Sequence, residues 1–283
     1  MRVPPRPLIG IVIWAAYAIY AVVSVLPSGI DSDELADTTS NVIKGIVIPL
    51  GLGAAALLAG VSFMGWWRPV FHEERRSPRW TLLIAALLGL GVVVALVRTD
   101  WGGTEGSLLL WLAVGTLCIA VAEETLCRGI LVTALRGGVG EVGVWFWSSL
   151  LFGLLHAANI VLGYEVGPTL AQVATAFLYG SVMYGVRRST GTLVEPIVIH
   201  WLWDFAGHVG DKGDGGALMF IQGALPMLAL VGTRQRREDV AGEGFQASTD
   251  RGQFGCCEAT HSLLPCAWDR EDGSSHPIHQ PQT

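Results

Sequence analysis

Charge is the property this sequence has least of: 15% of its 283 residues are Asp, Glu, Lys or Arg, against 51% hydrophobic residues and a mean hydropathy of +0.49. A soluble domain needs more charged surface than that, so an ordinary water-exposed globular fold is excluded. A basic face is also missing. Lys and Arg number 18 against 24 acidic residues, and they fall in separate loops, which argues against a nucleic-acid partner. Of five cysteines, Cys118 and Cys127 lie in apolar sequence and Cys256, Cys257 and Cys266 near the end, an odd set without regular disulfide spacing. The late group, with His261, lacks the paired C-x-x-C spacing of a zinc module. No small-residue cleavage pattern follows the apolar stretch 8–26, so it reads as a first membrane span behind Arg2 and Arg6 rather than as a signal peptide.

What the sequence has instead is long apolar runs. Crossing about 30 Å of hydrocarbon takes roughly 20 residues, and the runs at 8–26, 45–67, 80–97, 107–135, 142–164, 166–186, 191–209 and 215–232 qualify. The arginines then set a topology. Arg2 and Arg6, then Arg68, Arg75, Arg76 and Arg79, then Arg128 and Arg136, then Arg187 and Arg188, then Arg234, Arg236 and Arg237 all fall on one side of an eight-span chain. The opposite loops hold mainly Asp and Glu, with Lys44, Arg98 and Lys212 as their basic members. Basic loops stay cytoplasmic, so the expectation is an all-α, polytopic membrane helical bundle of about eight transmembrane helices, both termini cytoplasmic and in contact with the lipid bilayer. Three N-terminal spans fill 1–106 and five more fill 107–232. The polar stretch 233–283 reads as a disordered cytoplasmic tail.

Three of these runs are interrupted by ionisable groups. Val121 to Gly129 reads Val-Ala-Glu-Glu-Thr-Leu-Cys-Arg-Gly, preceded by sixteen uncharged residues (107–122) and followed by more apolar ones. Phe152 and His156 lie four apart on the next run, and His200 and Asp204 four apart on the seventh, each pair on one helical face. Charged side chains at bilayer depth cost roughly 2.5–3.5 kcal/mol each on insertion scales, which makes them functional candidates. Glu124 and Arg128, at i and i+4, can pair. Glu123 faces about 100° away with Cys127 four residues on, which leaves it the freer carboxylate and a candidate general base. His156 and His200 could hold a water, bind a metal or donate to an oxyanion. Phe152, Trp201 and Trp203 read as packing residues, Asn159 as a helix-to-helix hydrogen-bond donor, and Glu195 as a charge at a helix N-terminus.

Glu-Glu-x-x-x-Arg at 123–128, Phe-x-x-x-His at 152–156 and His-x-x-x-Asp at 200–204 resemble the three motifs of the CPBP family, the CAAX proteases and bacteriocin-processing enzymes also called the Abi family. The resemblance spans about 107–209. It implies an intramembrane endopeptidase acting on a peptide or membrane-protein substrate, with Glu123 and His156 activating water, His200 and the residue at 204 stabilising the oxyanion, and Glu124 and Arg128 supporting the first helix. The third motif often ends in Asn; Asp204 cannot donate unless protonated and could instead orient His200. Members have been labelled metalloproteases, and Glu123, His156 and His200 would make a zinc set, although a metal-free glutamate mechanism fits the same residues. Two other classes compete: a non-catalytic membrane scaffold or bacteriocin-immunity protein using the same cavity, and a proton-coupled transporter. Transport predicts internal repeats, and the two halves show no self-similarity.

Overall fold

A computed structural model describes residues 1–31, 34–99 and 101–209. Its α-helices are α1 (Pro7–Val25), α2 (Thr39–Val42), α3 (Ile48–Met64), α4 (Trp67–Phe71), α5 (Leu82–Arg98), α6 (Gly106–Glu124), α7 (Val132–Leu135), α8 (Glu141–Leu155), α9 (Val166–Thr190) and α10 (Val194–Val209). Two π-helical segments, Ile43–Val47 and Thr125–Leu131, join α2 to α3 and α6 to α7, and a 3-10 turn, His156–Ile160, extends α8. Every predicted run up to 209 falls on helix, and among the described residues β-pairing is limited to a bridge between His72 and Thr192. The predicted eighth span, 215–232, and the tail lie outside the described residues.

Four stretches are long and apolar enough to cross a membrane: Pro7–Ser28, Thr39–Met64, Gly106–Leu135 and Glu141–Ile160. The rest fall short for different reasons. α5 and α10 have 17 and 16 residues, while α9 has 25 but is diluted by Thr169, Gln172, Thr175 and its terminal arginines. Large apolar side chains point outward from the bundle, among them Val12, Ile19, Leu52, Leu87, Val93 and Leu110. Such a surface suits lipid, not water.

Local sequence explains the helix ends. Pro7 starts α1, where its missing N–H costs nothing. Gly65, at φ 69°, closes α3, its N–H donating to Ser62 and the Trp66 N–H to Val61. Small residues set the closest contacts: a side chain at Gly53 would meet the Tyr20 ring at 2.9 Å, and one at Gly153 would come 2.7 Å from the Val173 carbonyl, so α1 packs on α3 and α8 on α9 at close range.

The bundle differs between its two ends. At the arginine-rich end the core is solid. All seven residues of Thr125–Leu131 are buried, packed with Trp66, Val70, Met183, Tyr184 and Leu193. The loop after α4 runs beside the end of α9, with Glu73 N–H donating to Gly191, Ser77 N–H to Arg188 and Leu193 N–H to Phe71. An ion network closes this end. Arg136 donates to both oxygens of Glu73 at 3.0 Å and to Glu141 at 2.5 and 3.2 Å; Arg75 reaches Glu141 at 2.6 Å, Arg187 lies 3.2 Å from Glu73, and Tyr184 donates to Glu141. Burial works against the Arg136 charge, but its bonds to Glu141 and the neighbouring Glu73 charge outweigh that and hold the guanidinium above its ordinary range.

Candidate active site

The opposite half of the bundle is hollow. A cavity of about 670 Å³ lies between α1, the start of α3, α6, the end of α8 and α10, and Glu123, His156, His200 and Asp204 all line it. Four of the six predicted site residues thus share one space. The other two, Glu124 and Arg128, lie fully buried beside it.

His200 is the centre of the arrangement. Its Nδ1 lies 2.9 Å from Glu124 Oε1, and its Nε2 lies 3.2 Å from Asp204 Oδ2 and 3.9 Å from Glu123 Oε2. A neutral imidazole has one N–H, so hydrogen bonds from both nitrogens require a proton on the ring's second nitrogen or on one of the acids. Asp204 orients His200, as its chemistry suggested. The role of Glu124 widens: it pairs with Arg128 at 3.3 Å, and the same Oε1 also takes the His200 contact. Spacing along one helix could not reveal that second partner, 76 positions away.

Glu123 is placed differently from its neighbour. Its separation of 3.9 Å from His200 is too long for a direct hydrogen bond. Its buried Oε2 has no hydrogen-bond partner among the described residues, and it faces the cavity. The freer carboxylate inferred from helix geometry is the freer one here.

His156 sits where α8 gives way to the 3-10 turn. Its Nδ1 lies 3.3 Å from the Phe152 carbonyl, an arrangement that puts the proton on Nδ1 and leaves Nε2 as an acceptor. It reaches the cavity wall without forming an ion pair with Glu123. The predicted zinc set is therefore not gathered at one point: among the described residues no three His, Cys, Asp or Glu side chains group as a metal ligand set, and both nitrogens of His200 face carboxylates.

Phe152 does more than fill space. The Arg128 guanidinium lies over its ring, 3.8 Å from the centroid, a cation–π contact in a dry setting. The same ring is edge-on to His156 at 5.3 Å and to His200 at 6.0 Å. Phe152 thus ties the first and third motifs together from the second. Tyr179, whose ring is 5.3 Å from His200, completes the wall, and beside it Gly180 makes room: a side chain there would lie 3.1 Å from Arg128 Nη2 and 3.2 Å from Phe152. Neither Tyr179 nor Gly180 carries a signal in the sequence. His208 was also missed, although it continues the His200 and Asp204 face by another four residues; it lines the cavity with Nδ1 2.7 Å from the Asp204 carbonyl.

The remaining expectations resolve simply. Trp201 donates to the Ala113 carbonyl at 2.8 Å and packs α10 on α6, whereas Trp203 lines the cavity. Asn159 donates to Gln172 at 3.0 Å, linking the 3-10 turn to α9. Glu195 accepts from the Thr192 hydroxyl at the start of α10.

Residues 105–206, the stretch from the N-cap of α6 to near the end of α10, match the family model of type II CAAX prenyl endopeptidase Rce1-like. No curated protein and no solved structure matches the chain. The matched stretch contains Glu123, Glu124, Arg128, His156, His200 and Asp204, the residues that the fold draws to one level of the bundle. Through this stretch the chain belongs to the CAAX protease family.

Proposed function

We propose that the chain is an intramembrane endopeptidase in which Glu123 and His156 activate a water molecule against a peptide carbonyl and His200 stabilises the oxyanion. The observation that carries this reading is the contrast between the two glutamates. Glu124 is consumed by Arg128 and His200, whereas Glu123 faces the cavity with an unpartnered oxygen beside a histidine. A general base needs free lone pairs where the substrate enters, and Glu123 has them. Water bound between Glu123 and His156 Nε2 gives up its proton as it attacks; His200, held by Glu124 and Asp204, turns its Nε2–H to the developing negative charge. Asp204 serves by positioning His200, and Arg128 by fixing Glu124.

Residues 107–232 form the catalytic core in this reading, behind three spans in 1–106 and ahead of a cytoplasmic tail, 233–283. The N-terminal spans are part of the site, because Tyr17, Ala21 and Leu50 line the same cavity. Eight spans with both termini cytoplasmic is the topology proposed. The substrate is a peptide or membrane protein reached from within the bilayer.

The test is cleavage of a fluorogenic prenylated CAAX peptide by detergent-purified protein, wild type beside Glu123→Gln. Loss of a general base lowers the rate by about 10²–10⁴-fold, and the expected outcome is loss on that scale with unfolding temperature unchanged. Equal cleavage by both proteins would overturn the role of Glu123. Measured zinc content, and activity before and after chelation, decide whether a metal takes part.

A further inference from the structure

The cavity and the arginines occupy opposite ends of the molecule. Each segment lining the cavity does so near the same end: α1 in its last two turns at Ala21 and Val25, the following loop at Leu35, α9 near its start at Gln172, and α10 towards its end at His208. Tyr164, in the loop between the α8 extension and α9, is 37% exposed and also lines the cavity, so the space reaches the surface there. Toward the other end the way is shut. Beyond Glu123 come the seven buried residues Thr125–Leu131, then Trp66 and the Glu73–Arg136–Arg187 network.

The charge rule gives these ends a side. Arg2, Arg6, Arg68, Arg75, Arg76, Arg79, Arg136, Arg187 and Arg188 belong to the closed end, while the mouth end has Lys44 and Arg98. Basic residues beside spans remain cytoplasmic. Resting on the peptidase reading, we infer that the active-site cavity opens to the extracytoplasmic face and receives a peptide segment emerging from the membrane on that side. A C-terminus displayed in the cytoplasm does not reach Glu123.

The mouth has the chemistry for such a segment. Asn159 and Gln172 join by a single bond, Nδ2 to Oε1 at 3.0 Å, which leaves the Asn159 carbonyl and the Gln172 amide to accept from and donate to an extended backbone. His208 lies about 12 Å along α10 from His200 at 1.5 Å per residue. That distance accommodates several residues of extended peptide between mouth and centre, at about 3.3 Å each.

Tyr164→Cys and Glu74→Cys test the orientation, in a background whose tail cysteines are replaced by serine. A membrane-impermeant maleimide added to intact cells is expected to label Tyr164→Cys fully and Glu74→Cys only after permeabilisation. The reverse pattern overturns the proposal. Right-side-out vesicles are expected to cleave added peptide, and inverted vesicles to do so only once detergent is present; labelling Tyr164→Cys with a bulky maleimide is expected to abolish cleavage. Unchanged cleavage after complete labelling would place the entrance elsewhere and overturn it too. If wild type and Glu123→Gln are equally inert in detergent, the peptidase reading fails separately, and the labelling pattern still reports the side of the mouth.

Discussion

Glu123 and Glu124 are chemically identical neighbours, and their environments give them different work. Glu124 sits at zero exposure between Arg128 and His200. Removing one member of a buried charged pair costs about 3–5 kcal/mol because the partner is left uncompensated. Glu124→Ala is therefore expected to lower the unfolding temperature in detergent sharply, whereas Glu123→Gln leaves it in place, and thermal melts of the two variants side by side check this. Asp204 offers a second separation of roles. Asn at this position still accepts from His200 through its carbonyl oxygen and adds an amide donor. Asp204→Asn is expected to keep most of the peptidase activity. Asp204→Ala frees His200 Nε2 from its orienting contact and is expected to lose about 10²-fold or more, as removal of an oxyanion-stabilising group does. Comparison of the two rates on one peptide tests the positioning role, since a merely space-filling residue would not distinguish them.

At the scale of elements, the first motif works because α6 does not stop at Glu124. It continues as a π-helical segment through Arg128 into α7, fully buried, with Gly129 against Val70 on one side and Gly180 admitting Arg128 on another. Bulges of this kind recur at functional sites because they re-aim side chains without ending the helix. The loop that seals the opposite end is an element of its own, held by backbone bonds to α9 and by Glu73, whose side chain is completely buried between Arg136 and Arg187. Glu73→Ala leaves two guanidinium groups without their shared acceptor. The expected outcome is a loss of about 3–5 kcal/mol, read as reduced thermal stability and increased proteolysis between α4 and α5. Residual folded protein should keep its cleavage activity, because the network lies beyond the buried Thr125–Leu131 segment from the cavity.

For the whole molecule, one bundle combines a dry, charge-locked end with a hollow end that meets its surroundings. A helix interior in lipid must satisfy its own polar groups, and this chain places most of its buried charge in two clusters. One is consumed structurally by Arg136, Arg187, Glu73 and Glu141. The other retains an unpartnered oxygen on Glu123 and faces a cavity. The outward side chains of α1, α3, α5 and α6 fit a membrane protein, and the family match over 105–206 coincides with the part that builds the polar wall. The N-terminal helices supply the apolar wall opposite it.

Helix content, the positions of the long apolar runs and the spacing of the three motifs were legible in the sequence, because each depends on neighbours within a few positions. Glu123 as the freer acid was legible too, since 100° per residue separates it from the Glu124–Arg128 face. Contacts between distant segments were not legible. The bond from His200 to Glu124, the stacking of Arg128 on Phe152, the place of Tyr179 and Gly180, and the inclusion of α1 and α3 in the cavity depend on which helices meet and at what distance. Local periodicity and composition determined that these residues lie on buried faces at similar depth. Tertiary packing decided which of them touch, and so which glutamate is locked and which is left to react.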